Sequence, residues 1–270
     1  MKYTNYAQFH KDATKNGIEY ALEHTVKLGF DSVEFLSLTP EDSYSKNAAS
    51  LLKAYGISAS CYSACTNLFE PPKKAEELLL SYAEIAAELG SPFLHHTLLP
   101  KLSLSAIDPS YNDVLPSVVR VAERVANYCD TLGIVCLYEP QGMYFNGKQL
   151  EEFFFEMQKR CSNVGVCGDV GNSFFVDYSP SLIFKNLAPY IKHVHIKDFA
   201  ASKSAPSNRK YYLSKGGNCL FEAEIGTGDV DFRYCLDRLK ESGYSGAFSF
   251  EISGTDDYLI SSTNYVKGLL

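Results

Sequence analysis

The strongest constraint on the fold of this chain is a regular alternation of short β-rich segments with longer amphipathic segments. Eight such pairs follow one another along the 270 residues, and several of the amphipathic segments end at a glycine, as at Gly90 and Gly133. A glycine is a common residue just after the end of a helix. Alternation of this kind is typical of a parallel sheet whose strands are joined by crossover helices. The sequence therefore predicts an α/β protein.

A closed (β/α)8 barrel and an open doubly wound sheet both fit this alternation. The count of eight favours the barrel, as do the polar residues that end four of the later strands, because the strand ends of a barrel meet at one mouth. Acids on distant strands of an open sheet would not converge. We expect a single TIM barrel domain over residues 1–270. The predicted strands cover residues 3–9, 31–38, 57–63, 91–97, 134–140, 164–172, 190–198 and 247–253.

Composition narrows the class of protein further. The first fifteen residues lack the continuous apolar stretch of a signal peptide, and no run of 18 apolar residues occurs, so we expect a cytoplasmic protein that does not associate with membranes. The eight cysteines form no CxxC pair and are expected to be reduced thiols. A formal net charge of −7 argues against a nucleic-acid partner. The oligomeric state is left open, with a homo-oligomer as one option.

Four late strands end in polar residues that strand propensity does not explain: Glu139, Asp169, His195 and Glu251. Each would be costly to bury at a barrel mouth unless it were paired or bound to a metal. Three carboxylates and an imidazole at one point would repel one another without a cation, so we predict that all four bind one divalent metal ion. The oxygen-rich ligand set favours Mn²⁺, with Mg²⁺, Co²⁺ and Zn²⁺ as alternatives.

The segments LYEP, GDVGN, HVHIKD and FEIS, with IGTGDVDF between the last two, resemble those of the xylose isomerase-like barrels. These barrels form the broad superfamily of sugar and sugar phosphate isomerases and epimerases, and the resemblance spans nearly the whole chain. It implies a metal held by the same four residues, with Glu139 and Glu251 as the catalytic acid/base pair. One departure is Asn172, since many members carry a histidine at this position, three residues after the aspartate. An amide can bind a sugar hydroxyl, but it does not shuttle a proton.

Such a site suits proton transfer next to a carbonyl. The metal would chelate a carbonyl oxygen and the adjacent hydroxyl and stabilise an ene-diolate, while one glutamate removes a proton and the other returns it from the opposite face. The expected substrate is a carbohydrate, with or without phosphate. The expected substrate-binding residues are Asn172, Lys197, Arg209 and one of the adjacent pair His95 and His96.

Several residues allow more than one interpretation. Glu34 supports the metal ligands by hydrogen bonding or forms a buried ion pair with a lysine, and His193 is a satisfied interior histidine or a partner of the ligands. Asp198 is expected to point away from the mouth and cap the segment that follows. Residues 199–225 are the longest irregular stretch and form either a lid over the substrate or a surface excursion. The turn at residues 226–229 either receives a phosphate on its backbone N–H groups or only reverses the chain.

Three other functions remain open on the same scaffold. An inosose dehydratase-like lyase would begin with the same proton abstraction and then expel a hydroxyl. An apurinic-site endonuclease needs a metal cluster, extra histidines and a DRHE-like segment, which Asn172 and the acidic composition disfavour. A non-catalytic sugar-binding barrel is the fourth reading.

Overall fold

The computed structural model describes residues 1–37, 47–68, 72–205 and 208–270. Its eight parallel barrel strands close in the order β1-β11-β7-β6-β5-β4-β3-β2, which confirms the predicted (β/α)8 barrel. The barrel strands are β1 (Lys2–Asn5), β2 (Ser32–Ser37), β3 (Ser58–Ala64), β4 (Phe93–His96), β5 (Val135–Tyr138), β6 (Val164–Asp169), β7 (Ile191–Ile196) and β11 (Ala247–Phe250). Residue 38, the predicted end of the second strand, lies outside the described residues.

Helices follow the strands and cover the outside of the barrel. They are α1 (Ala7–Asn16), α2 (Ile18–Lys27), α3 (Ala48–Tyr55), α4 (Pro72–Glu88), α5 (Tyr111–Thr131), α6 (Lys148–Gln158), α7 (Pro180–Leu187), α8 (Phe232–Glu241) and α9 (Asp256–Leu269). The main hydrophobic core lies between the helices and the outer faces of the strands, where residues such as Leu79, Val125 and Phe153 are fully buried. None of the described helices is long and apolar enough to cross a membrane.

The helix boundaries follow local capping chemistry. Ser110 and Asp113 form a reciprocal capping box at the start of α5, in which each side chain accepts a hydrogen bond from the backbone N–H of the other residue. Gly133 follows that helix with a φ of 71°, a left-handed conformation that glycine adopts without steric cost. The glycine at the end of this segment was noted in the sequence, and it lies where the helix ends.

The first predicted strand, residues 3–9, is too long. In the structure β1 ends at Asn5 and α1 begins at Ala7. The Asn5 side chain accepts a hydrogen bond from the backbone N–H of Phe9 at 3.0 Å, which satisfies a donor that the first helical turn leaves free. The strand therefore ends where its last residue, Asn5, can bind a free amide of the first turn of α1.

The stretch 199–225 is not irregular throughout, as the sequence suggested. Its described part contains a three-stranded antiparallel sheet in the order β8-β10-β9, made of β8 (Phe199–Ser202), β9 (Tyr212–Leu213) and β10 (Cys219–Glu222). Asp177 fastens this small sheet to the barrel by accepting hydrogen bonds from Ser214 Oγ and Asn218 Nδ2, each at 2.6 Å. The short strands carry too little hydrophobic alternation to be recognised in the sequence.

Candidate metal centre and active site

The four predicted metal ligands converge at the C-terminal mouth of the barrel, around the imidazole of His195. Its Nδ1 atom lies 3.1 Å from Glu139 Oε2, 3.5 Å from Glu251 Oε2 and 3.9 Å from Asp169 Oδ2. Strand register produces this arrangement. Asp169 on β6 is the direct neighbour of His195 on β7, while Glu139 and Glu251 are the first residues after β5 and β11.

The donor set fits a divalent cation. Ligand atoms of Asp169, His195 and Glu251 lie within 4.8 Å of one another. The Asp169 side chain is fully buried, and its Oδ2 atom makes no hydrogen bond within the described part of the chain. The cation nearest to this oxygen is the Lys197 ammonium, 3.0 Å away. Three carboxylates meet here, however, and a divalent cation between them would offset their remaining repulsion. The predicted ligand set therefore remains a proposal that this geometry supports.

The two carboxylate oxygens of Asp169 make different contacts, one with the backbone and one with the candidate site. Its Oδ1 accepts hydrogen bonds from the backbone N–H groups of Gly171 at 2.8 Å and Asn172 at 2.5 Å, which fixes the turn after β6. Its Oδ2 faces the ligand set and the Lys197 ammonium, 3.0 Å away. One oxygen thus orients the side chain so that the other points into the mouth.

Lys197 lies closer to the ligand set than the sequence implied. Its Nζ is 2.6 Å from Glu251 Oε2, and it donates a hydrogen bond to Asn172 Oδ1 at 3.1 Å. This ammonium offsets part of the negative charge of the ligand set. It also lines the cavity, and its role in binding substrate stays a prediction. Asn172, which is also buried, shares this corner of the mouth.

The electrostatics of the site follow from burial and from the close opposite charges. Burial raises the pKa of Glu139, but His95 and His195 outweigh it and hold that pKa well below its ordinary value. Burial lowers the pKa of His195, whereas Cys167, Glu34 and Glu139 raise it to well above 6.5. For Glu251, burial exceeds the opposing effect of Lys197, and the pKa is raised. The charge of each of these three residues therefore depends on the charges of its neighbours.

Only one of the adjacent histidines faces the barrel interior, as predicted. His95 Nε2 lies 3.3 Å from Glu139 Oε1, and His95 Nδ1 is 2.8 Å from Ser63 Oγ. His96 instead packs edge-on against Tyr138 outside the barrel, and burial lowers its pKa to about 4. His95 therefore belongs to the candidate site and His96 to the core.

Glu34 is fully buried below the ligand set and binds histidines, not a lysine. Its Oε1 is 2.9 Å from His195 Nε2, and its Oε2 is 2.7 Å from His193 Nε2. The sequence alternative of an ion pair with a lysine is therefore wrong, and the alternative of support by hydrogen bonding agrees with the structure. His193 is accordingly an interior histidine bound to Glu34.

A cavity of about 600 Å³ opens above the ligand set. It is lined by Asn172, Lys197, Glu251 and the predicted Arg209, but Arg209 stands at the exposed rim, where its guanidinium donates to the backbone oxygen of Glu222 at 3.0 Å. Sequence reasoning missed several lining residues: Pro100, Gln141, Tyr212, Glu222 and Tyr258. All but Tyr258, which lies in the first turn of α9, are in loops or in the small sheet, where no periodic pattern marks them.

The turn at residues 226–229 does not offer its amides to a ligand. The backbone N–H groups of Gly226 and Gly228 each donate to Asp198 Oδ2 at 2.9 Å, and that of Val230 donates to Asp198 Oδ1 at 3.3 Å. The phosphate-binding alternative for this turn is therefore wrong, because an internal carboxylate already occupies the position. Asp198 thus caps the turn at residues 226–229, beyond the segment directly after it. It also lines the cavity, so it does not point away from the mouth as expected.

A family model described as xylose isomerase-like TIM barrel matches residues 22–269. The chain is 27% identical over 257 residues to a ketose 3-epimerase of Arthrobacter globiformis, covering 90% of this chain and 79% of that protein. It is 22% identical over 269 residues to an inosose dehydratase of Clostridium botulinum (strain Alaska E43 / Type E3), covering 94% and 90% of the two chains.

Among solved structures, a xylose isomerase-like TIM barrel protein from Mycobacterium smegmatis in complex with magnesium superposes with a TM-score of 0.74. The two chains are 16% identical, and the match covers 99% of this chain and 96% of the other. With the family model matched over most of its length, the chain belongs to the xylose isomerase-like TIM barrel family. Its curated relatives bear the names of enzymes, and this protein is likewise an enzyme of the family.

Proposed function

We propose that this protein is a divalent-metal-dependent epimerase of free ketoses, which moves a proton at the carbon next to the carbonyl. The observation that carries the proposal is the placement of two carboxylates, Glu139 and Glu251, just after β5 and β11, two strand ends separated by β6 and β7. Glu251 lines the cavity, and both carboxylates lie within 3.5 Å of His195 Nδ1. Carboxylates placed apart in this way can address a substrate carbon from two sides, which epimerisation requires. The similarity to a ketose 3-epimerase supports the same reaction.

Glu139, Asp169, His195 and Glu251 would hold the ion. The set of three carboxylates and one imidazole favours Mn²⁺ or Mg²⁺, and the similar barrel from Mycobacterium smegmatis was solved with magnesium. When bound, the ion supplies electrophilic stabilisation of negative charge on substrate oxygens.

The chain's own residues then carry the proton transfers. One glutamate of the pair Glu139 and Glu251 removes the proton from the carbon next to the carbonyl, and the other delivers a proton to the opposite face. Lys197 Nζ, 2.6 Å from Glu251 and 3.0 Å from Asp169, keeps these carboxylates in place. Asn172 lines the cavity and offers its amide to substrate hydroxyls, while the buried His95 lies beside Glu139.

The charges around the cavity favour a substrate without phosphate. Four acids line it, Asp198, Glu222, Glu224 and Glu251, against two cations, Lys197 and Arg209. Lys197 is already paired with Asp169 and Glu251. Because the amides of the turn at 226–229 bind Asp198, the described residues leave a phosphate group without a cluster of free donors. An uncharged polyol fits these surroundings better.

The test is turnover in D₂O of a panel of free ketoses and their phosphates with added Mn²⁺, with the products read by NMR. We expect a free ketose to be converted to its epimer with deuterium at the carbon next to the carbonyl, and no conversion in the Glu251→Gln control. A preference for the phosphate esters would overturn the substrate class. Conversion without any deuterium or any epimer would overturn the reaction.

A dehydratase is the second candidate, favoured by the similarity to an inosose dehydratase over 94% of the chain. It would share the first proton abstraction and then lose a hydroxyl group. Including an inosose in the same panel separates the two, since elimination gives a product lighter by one water and epimerisation does not.

A further inference from the structure

Glu34 occupies the centre of the barrel, directly beneath the ligand set. It lies on β2, beside an irregularity in the pairing of β2 with β3 at Val33 and Glu34. Its side chain is fully buried. An isolated carboxylate at this depth would be strongly destabilising unless every lone pair had a partner.

Four donors surround this carboxylate, two at each oxygen. Oε1 accepts hydrogen bonds from His195 Nε2 at 2.9 Å and from Ser63 Oγ at 2.5 Å. Oε2 accepts from His193 Nε2 at 2.7 Å and from Ser249 Oγ at 2.5 Å. An ionised carboxylate has about four lone-pair positions, so Glu34 has none left for a metal ion. Glu34 must therefore influence the site through the side chains that donate hydrogen bonds to it.

The bond to His195 determines which ring nitrogen carries the proton. A carboxylate only accepts, so the nitrogen that faces it, Nε2, is the N–H donor. Nδ1 also faces a carboxylate, Glu139 Oε2 at 3.1 Å, so both nitrogens carry protons when the ring is charged. A ring that binds a metal ion is neutral. Because Glu34 then keeps the proton on Nε2, the lone pair is on Nδ1, beside the three carboxylates of the ligand set. An outer carboxylate that fixes a ligating histidine in this way is a common determinant of metal affinity.

The same carboxylate orients His95 through Ser63. The Ser63 hydroxyl donates its proton to Glu34, so it accepts from His95 Nδ1, 2.8 Å away. His95 Nε2 is then the nitrogen with the lone pair. His95 Nε2 makes no hydrogen bond in the described part of the chain, and it lies 3.3 Å from Glu139 Oε1.

We infer that Glu34 is a positioning residue that sets the tautomers of His195 and His95, and so aims one nitrogen lone pair of each ring at the metal and substrate site. The inference rests on the proposed metal-dependent function. It goes beyond that function by assigning the orientation of the site to a residue that touches neither the ion nor the substrate.

Nuclear magnetic resonance of the ring nitrogens in wild-type protein tests the inference without a mutation. In Mg²⁺-saturated, ¹⁵N-histidine-labelled protein, long-range ¹H–¹⁵N spectra should show His195 protonated at Nε2 and His95 protonated at Nδ1. Variants of each of the two histidines assign the signals among the six in the chain. The opposite tautomer at His195 would overturn the inference.

A second measurement uses Glu34→Gln, whose amide cannot accept four hydrogen bonds. We expect the Kd for Mn²⁺, measured by calorimetric titration, to rise by about 10- to 100-fold and the His195 signal to lose its single tautomer. Ser60→Ala is the matched control, since it removes the buried hydroxyl that donates to the Val33 carbonyl at 3.2 Å without touching Glu34. It should lower the melting temperature and leave the Kd for Mn²⁺ unchanged.

The outcomes separate the inference from the function on which it rests. A folded Glu34→Gln protein with wild-type Mn²⁺ affinity and unchanged histidine signals would overturn only the role of Glu34. Wild-type protein that binds neither Mn²⁺ nor Mg²⁺ would overturn the metal-dependent function as well. If Glu34→Gln does not fold, the wild-type tautomers still decide the question.

Discussion

The two halves of the barrel carry different parts of the candidate site. The ligand half, β5, β6, β7 and β11, supplies Glu139, Asp169, His195 and Glu251. The support half, β1 to β4, supplies Glu34 and His95, which contact the ligand residues His195 and Glu139, and Ser63, which links Glu34 to His95. The negative charge that would bind a cation is concentrated on one half, and much of the hydrogen bonding that orients it comes from the other.

The difference shows that the placement of the ligands and their orientation depend on different strands of the barrel. Ligands next to each other on neighbouring strands, such as Asp169 and His195, can converge through register alone. Their orientation also depends on partners from across the barrel interior, such as Glu34 for His195, because side chains that point inward from opposite strands meet there. Changes in the ligand half should therefore abolish metal binding or chemistry, while changes elsewhere should have graded effects.

The largest expected effect is on the acid/base pair of the ligand half. Glu139→Gln and Glu251→Gln each remove a proton-transfer group while keeping an oxygen in place, so kcat should fall by about 10²- to 10⁴-fold. Glu222→Gln is the control, because Glu222 lines the cavity outside the ligand set and should leave kcat close to wild type. Near-normal kcat in either of the first two variants would remove that glutamate from the mechanism.

The next effect concerns metal binding alone. Asp169→Asn keeps the oxygen that accepts from the N–H groups of Gly171 and Asn172 but loses the anionic oxygen that faces the ligand set. We expect the Kd for Mn²⁺ to rise by at least about 100-fold, beyond the range of an outer-sphere change, with the melting temperature of metal-free protein nearly unchanged. Full metal content by elemental analysis would take Asp169 out of the ligand set.

A smaller effect is expected at the cavity rim, in the segment of the small sheet that lies between β7 and β11 in the chain. Arg209 lines the cavity, whereas the side chain of its neighbour Lys210 lies over the Tyr212 ring at 5.3 Å. Arg209→Ala should raise KM by about 5-fold, the loss expected for one hydrogen bond of about 1 kcal/mol, with metal content unchanged. Lys210→Ala is the matched control. Equal KM values in both variants and in wild type would show that this rim does not contact substrate.

The smallest effect lies behind the support half, where His24 joins α2 to α1 and α9. Its ring nitrogens lie 2.7 Å from Asp12 and 2.9 Å from Asp256. Burial lowers the pKa of His24, but the two carboxylates outweigh it and raise that pKa above 6.5. The stabilisation should therefore be fully present below about pH 6.5 and lost as the pH rises through the raised value.

The variant for this test is His24→Gln. Below pH 6 its melting temperature should be lower than that of wild type by about 2 °C, the size expected for a partly exposed ion pair in a chain of this length. The difference should vanish at alkaline pH, and the Mn²⁺ affinity of His24→Gln should equal that of wild type at each pH. A melting difference that grows with rising pH would contradict the assignment.

Much of this molecule was predictable because it depends on patterns within single segments. Alternation of strand and helix predicted the barrel, and Gly133 marked the end of α5. A polar residue at the end of an apolar strand, such as Asp169 or Glu251, predicted which side chains would meet at the mouth. In a strand, alternate residues share a face, so the inward positions could be identified without knowing the opposite strands.

Only the tertiary structure decided what those side chains contact. Glu34 and His193 are 159 residues apart in the chain, and the sequence left a lysine as an equally acceptable partner. The amides of Gly226 and Gly228 were available for a phosphate until the fold placed Asp198 against them. Both contacts form between segments that are brought together only when the barrel closes. A local sequence pattern indicates which way a side chain points, but it does not indicate which distant residue that side chain will contact.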